Sequence, residues 1–218
     1  MTEVKTSLAD VRAAYRLIWA YQKRALDTVR LVQELFRGVS FKAWRNNLGN
    51  GTPASHVTPF GRDDADFLPI YGTSFLFAKP SVSPGHPREG DWMLEIRIVT
   101  DDGINKHLEQ THLGVDPFDK SIFVDPAEAK SLLILIVWKS VEDQDEGTDW
   151  VKGIWNYNEW PSDASKANGD VMINEYGSIH SFQVEVPLHD LASRADIEAF
   201  VRRSKLVFKD KLGLDIGL

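Results

Sequence analysis

Apolar residues near the start of the chain repeat with helical spacing and predict one long helix. They recur at alternating intervals of three and four residues, as the a and d positions of a heptad repeat do. This a/d series consists of Leu8, Val11, Tyr15, Ile18, Gln22, Ala25, Val29, Val32 and Phe36, with Gln22 as its polar member. A second line runs beside it through Ala14, Leu17, Tyr21, Thr28, Leu31 and Leu35. Because a helix that covers one sheet needs only one apolar stripe, about 100° wide, the two lines predict contact with a second partner.

Capping signals predict where this helix begins and ends. Ser7 precedes Asp10 by three residues, a variant of the capping box that favours a helix N-terminus. Gly38 is suited to a left-handed C-terminal position, since it has no Cβ to clash with the backbone. We therefore predict a helix over residues 8–37.

Strands are predicted in the middle of the chain, where apolar residues alternate with polar or small ones. The alternating segments are Tyr71 to Phe77, Trp92 to Ile98 and Phe182 to Val186, and a weaker candidate spans Trp150 to Trp160. The segment from Leu132 to Lys139 is apolar at consecutive positions, which is typical of a strand buried on both faces. We predict that this strand lies at the centre of the sheet.

A second helix is predicted from about Arg194, after the capping pattern of Ser193 and Asp196, with Gly213 as its stop. No helix of crossover length is predicted between the strands, so their pairing should be mainly antiparallel. The sequence therefore predicts a single α+β domain over residues 1–218. Its largely antiparallel sheet would have four or five strands, with the long N-terminal helix and the C-terminal helix on one face.

Composition and charge narrow the functional classes. The absence of cysteine excludes disulfides and thiolate zinc sites, and no apolar run reaches the roughly 18 residues of a membrane span. The opening residues also lack the apolar core of a signal peptide, so we expect a cytoplasmic protein with no membrane association. Residues 1–45 carry a net charge of +5, residues 46–193 carry −14 and residues 194–218 carry +2. The acidic total argues against binding to double-stranded nucleic acid.

Aromatic residues cluster directly after the acidic run 142–149. The cluster consists of Trp150, Trp155, Tyr157 and Trp160. Its apolar residues follow no clean strand period, and contiguous aromatics on a protein surface usually mark a contact site. We predict that segment 150–160 is an exposed binding surface for a ligand or partner. The alternative is an edge strand that covers the core.

A metal site is the second chemical hypothesis, built on residues 91–116. Its candidate ligands are Glu95, Asp101, His107 and His112. Carboxylates and imidazoles together can hold a divalent ion, but the two histidines are five residues apart and not at the i, i+4 spacing of a zinc-binding helix. The alternative is a polar loop between strands.

Glu95 and Arg97 also stand where metal-dependent nucleases carry Glu-x-Lys on a strand that follows an acidic residue, here Asp91. Arg97 cannot replace a basic lysine, since its guanidinium keeps its proton. The alternation puts Glu95 and Arg97 on one face of the strand, which also suits a structural ion pair.

These patterns favour a non-catalytic interaction protein of the inhibitor, immunity or assembly-factor type. It would need no cofactor and would act through the long helix and the aromatic surface. Its partner would be a second copy of the chain, most simply in a homodimer, or another protein. The alternative is a small metal-dependent hydrolase or nuclease that uses residues 91–116. Whether the protein is an enzyme is left open by the sequence.

Overall fold

The computed structural model describes residues 2–46, 72–79, 86–103, 124–156, 169–174 and 177–217. Within these ranges the main elements follow the order helix, six strands, helix. They are α1 (Thr2–Leu35), β1 (Ser40–Asn46), β2 (Gly72–Ala78), β3 (Trp92–Val99), β4 (Leu132–Ser140), β5 (Met172–Ile173), β6 (Ile179–Pro187) and α2 (Arg194–Leu212). A π-helix over Trp150–Trp155 lies between β4 and β5, and a short 3₁₀ turn, Leu188–Asp190, precedes α2.

The strands form one antiparallel sheet in the order β1-β2-β3-β4-β6-β5. The predicted α+β class is therefore confirmed, with six strands where the sequence predicts four or five. The sequence analysis missed β1, because its register against β2 shifts between Phe41 and Ala43. Such a bulge breaks the alternation of inward and outward side chains that reveals a strand.

The two helices cover one face of the sheet, as predicted. Val32 and Phe36 of α1 and Phe208 of α2 pack with Leu94 and Leu135 in one buried cluster. The opposite face has its own cluster, to which the π-helix contributes Ile154 and Trp155. The sheet is thus the middle layer between the helices and the π-helix segment.

Strand β4 lies between β3 and β6 and is buried on both faces, which confirms the prediction of a central strand. Leu133 and Leu135 point to the helices, while Ile134 and Ile136 point to the face that carries the π-helix. Neither face of this strand meets solvent over these residues, which explains its unbroken apolar sequence.

The predicted ends are right for α2 and only partly right for α1. Ser193 and Asp196 form the capping box of α2, and Gly213 closes it with a left-handed φ of 63°. Helix α1 ends at Leu35, close to the left-handed Gly38, but it begins at Thr2 and not at Ser7. No proline or glycine lies between Thr2 and Ser7, so nothing prevents the helix from continuing through the predicted cap. None of the described helices combines the length with the apolar composition that a membrane span requires.

Candidate functional site

The aromatic segment begins as a π-helix and not as a strand. The Asp149 carboxylate accepts hydrogen bonds from the backbone N–H groups of Val151 and Lys152 at 2.8 and 2.7 Å. This cap turns the chain inward directly after the acidic run, which itself lies largely at the surface. The prediction of a strand over Trp150–Trp160 is therefore wrong for the described residues, 150–156.

The prediction of an exposed aromatic surface is wrong for Trp155, because only 2% of this residue is exposed. Its ring packs in the cluster formed by Leu76, Ile136 and Trp138. Trp150 is half-buried and packs against the same cluster. Tyr157 and Trp160 lie outside the described residues, so their proposed binding role stays a prediction.

The metal hypothesis gains no support from the carboxylates that the structure describes. Glu95 is fully buried in β3, where its Oε2 atom accepts a hydrogen bond from Trp138 Nε1 at 3.2 Å. Asp101 lies beyond the strand and accepts from the Gly103 backbone N–H at 2.9 Å. The strand from Glu95 to its end spans about 13 Å, so the two carboxylates lie too far apart to bind one ion.

The other two predicted ligands, His107 and His112, lie outside the described residues. Among the residues that are described, no group of three or more His, Cys, Asp or Glu side chains could hold a metal ion. The metal-dependent alternative therefore stays an untested prediction.

The outer half of α1 carries an uncovered apolar surface. Every residue from 7 to 20 is exposed, although several of them are large and apolar. We call the group on one side of the helix the α1 stripe, which consists of Leu8, Val11, Tyr15, Ile18 and Trp19. Tyr15 is 70% exposed and Trp19 69%. At 100° per residue these side chains fall within a sector of about 100°, whereas Leu17 lies on the opposite side of the helix.

The inner half of α1 is fixed to the domain from Tyr21 onward. The Tyr21 hydroxyl shares a 2.8 Å hydrogen bond with Thr100 Oγ1, and burial raises the pKa of Tyr21. The Arg24 guanidinium donates to the backbone oxygens of Leu191 and Ala192 at 3.1 and 2.9 Å. From Ala25 on, the a/d series is buried. The a/d series of α1 is thus buried from Ala25 onward and exposed to solvent between residues 7 and 20.

A partly buried row of polar residues crosses the sheet on the face that carries the π-helix, and the sequence analysis missed it. Arg45, Ser74 and Arg97 are direct neighbours on β1, β2 and β3. Glu95 lies on the same face of β3, as the alternation predicts. The complete row could not be predicted without β1. Its sequence signals are Glu95 and Arg97 on one face of β3, and Ser74, a polar residue on a buried strand.

The charges in this row influence one another. The guanidinium carbon of Arg45 lies 4.1 Å from the centre of the Trp155 ring, and Arg45 Nη1 donates to Asn156 Oδ1 at 3.4 Å. Burial lowers the pKa of Arg45, while the nearby Glu95 carboxylate raises it and Arg97 lowers it. The two guanidiniums and one carboxylate leave a net positive charge beside the buried Ser74 and Trp155.

Comparison with known proteins identifies a family for this chain. No curated protein and no solved structure is similar to the chain. A family model matches residues 1–213, which include α1, the whole sheet and α2. The chain therefore belongs to the family PM0109, whose description states no activity.

Proposed function

We propose that the protein is a non-catalytic interaction protein that pairs with a second copy of itself through the α1 stripe. The observation that carries this proposal is the uncovered apolar side of residues 7–20 on a helix whose inner half is packed in the core. A contiguous apolar surface of this kind usually marks a site of protein contact.

The heptad positions of α1 favour a second copy as the partner. With Leu8 and Tyr15 at a, and Val11 and Ile18 at d, the flanking positions are almost free of charge. They are Ser7, Arg12, Ala14, Trp19 and Tyr21 at e and g. In a parallel pair, the g residues of one helix face the e residues of the other. The only charged residue among them, Arg12, therefore faces Ser7 of the second copy. Two copies can therefore pair along this side without like-charge repulsion.

The free energy gained by burying the α1 stripe is comparable to the free energy that association costs. Burying one large apolar side chain stabilises a complex by roughly 1.5–3 kcal/mol, and the stripe exposes several of them. The loss of translational and rotational freedom costs an estimated 4–15 kcal/mol. Since the two quantities are comparable, we expect reversible self-association that depends on protein concentration.

Light scattering on the purified protein and two variants tests the proposal. The wild type should change from monomer toward dimer as its concentration rises through the micromolar range. Tyr15→Glu places a charge in the middle of the stripe and should keep the protein monomeric. Leu17→Glu is the matched control, because Leu17 is 72% exposed on the opposite side of the same helix, and it should associate like the wild type.

Circular dichroism on the same samples checks that both variants keep their helix content. A wild type that stays monomeric at every concentration would contradict the proposal. Equal loss of association in Tyr15→Glu and Leu17→Glu would also contradict it, since the effect would then be independent of the stripe.

A further inference from the structure

One residue of this polar row and the tryptophan beside it each have a buried polar atom with no hydrogen-bond partner among the residues that the structure describes. They are the Ser74 hydroxyl oxygen and the Trp155 indole nitrogen. Ser74 is fully buried and Trp155 is 2% exposed. Because an unsatisfied buried polar group destabilises a fold, a pair of such groups in one region is unusual and points to a bound ligand.

Arg45 connects these two groups. It is the direct cross-strand neighbour of Ser74, and its guanidinium packs over the Trp155 ring. Side chains of such neighbours start about 5 Å apart, and Arg97 flanks Ser74 from the other side. Both arginines have partners of their own, so they contribute charge, while Ser74 and Trp155 contribute unused hydrogen-bonding capacity.

The chemistry of these groups selects an anion. An indole N–H can only donate, and a serine hydroxyl can donate as well as accept. Glu95 offsets part of the charge of the two guanidiniums, but a net positive charge is left. Hydrogen bonds from arginine and neutral donors to an oxyanion are among the stronger ones in proteins. A cation would meet repulsion here and would find few acceptors.

We propose that the polar row, Arg45, Ser74 and Arg97, together with Trp155, binds a small oxyanion of the phosphate class on the face of the sheet opposite the helices. The hydroxyl of Ser74 and the indole N–H of Trp155 donate to its oxygens, and the two guanidiniums provide the surrounding positive charge. This site is separate from the α1 stripe and involves none of its residues.

Thermal unfolding in inorganic phosphate, compared with chloride at the same ionic strength, tests the proposal. A ligand that binds only the folded state raises its stability in proportion to the logarithm of ligand concentration once the site fills. The melting temperature of the wild type should therefore rise with phosphate beyond its value in chloride.

Ser74→Ala and Trp155→Phe each remove one unpaired polar atom while they keep most of the side-chain volume. In chloride Ser74→Ala should be at least as stable as the wild type, because no made hydrogen bond is lost. In phosphate both variants should bind about tenfold more weakly or worse, as expected for the loss of one hydrogen bond to a charged group.

Ser140→Ala is the matched control. Ser140 is also a fully buried strand serine, but its hydroxyl is engaged with Glu142 and Gln144. This variant should lose stability in both salts and keep the full gain from phosphate. The proposal is overturned if phosphate adds nothing to the wild type beyond chloride, or if Ser74→Ala and Trp155→Phe both gain as much as the wild type does.

Discussion

The guanidinium carbon of Arg45 lies 4.1 Å from the centre of the Trp155 ring, so an edge strand and the π-helix meet through these two side chains. A cation over an aromatic face is attracted by the negative charge of the ring face. Since β1 has only one neighbouring strand in the sheet, β2, this contact fixes it to a second layer. Trp155 is therefore part of the core and not a surface aromatic.

We therefore expect Trp155→Ala to be strongly destabilising. Removing a buried tryptophan costs about 3–5 kcal/mol, which for a chain of this size corresponds to a fall of about 6–20 °C in melting temperature. The control is Trp44→Ala, since Trp44 is 48% exposed on β1 and its loss should change the melting temperature by only a few degrees. Similar small shifts in the two variants would show that Trp155 is not part of the core.

Ile134→Ala tests the central position of β4. Ile134 is 5% exposed, so the substitution should reduce the free energy of unfolding by about 2–5 kcal/mol, through lost burial and the cavity left behind. Urea denaturation measures this loss. Ile173→Ala on the two-residue edge strand β5 is the control, because Ile173 is 55% exposed, and it should lose less than about 1 kcal/mol. Equal losses would argue against a central β4.

The capping box of α2 should stabilise the protein in a pH-dependent manner. The Asp196 carboxylate accepts hydrogen bonds from the Ser193 backbone N–H at 2.8 Å and hydroxyl at 2.6 Å, which lowers the pKa of Asp196 below its ordinary 3.8. A lowered pKa means that this stabilisation is present above pH 3.8 and disappears as the pH falls through the lowered value.

Ser193→Ala should therefore lower the melting temperature by a few degrees at neutral pH, and the difference from wild type should shrink in strong acid. Ser204→Ala is the control, because the Ser204 hydroxyl donates to the Phe200 backbone oxygen within the same helix and involves no titrating group. Its effect should not follow the titration of Asp196. A difference for Ser193→Ala that stays constant from neutral to acid pH would contradict the role of Asp196.

The elements that the sequence predicts well are those set by local signals. The capping residues of α2 and the apolar run of β4 each determine their structure within a few residues. Strand β1 could not be predicted, because its bulge hides the alternation, and its position depends on pairing with β2, a segment distant in sequence.

The candidate sites could also be predicted only in part, because burial depends on contacts between segments distant in sequence. The a/d series predicts that α1 has more apolar surface than one sheet can cover, and this surface is present. However, the repeat continues unchanged through Gln22, so the sequence cannot show that the core begins to cover it only near Ala25. Burial of Trp155 depends on the inward turn after Asp149, which the sequence pattern does not predict. The binding role of Tyr157 and Trp160 and the metal-ligand role of His107 and His112 stay predictions.

Among the described residues, the contacts that fix helix α1 to the rest of the chain lie along its inner part, so a tilt of its outer part would be amplified toward its tip. The first 20 residues of α1 form an arm of about 30 Å, and such a tilt would pivot near Tyr21 and Arg24, which are hydrogen-bonded to Thr100 and to the backbone at Leu191. A tilt of about 10° at this pivot moves the tip of such an arm by about 5 Å. In a pair joined along these arms, the distance and angle between the two sheets would therefore vary, while the paired helices stay in register.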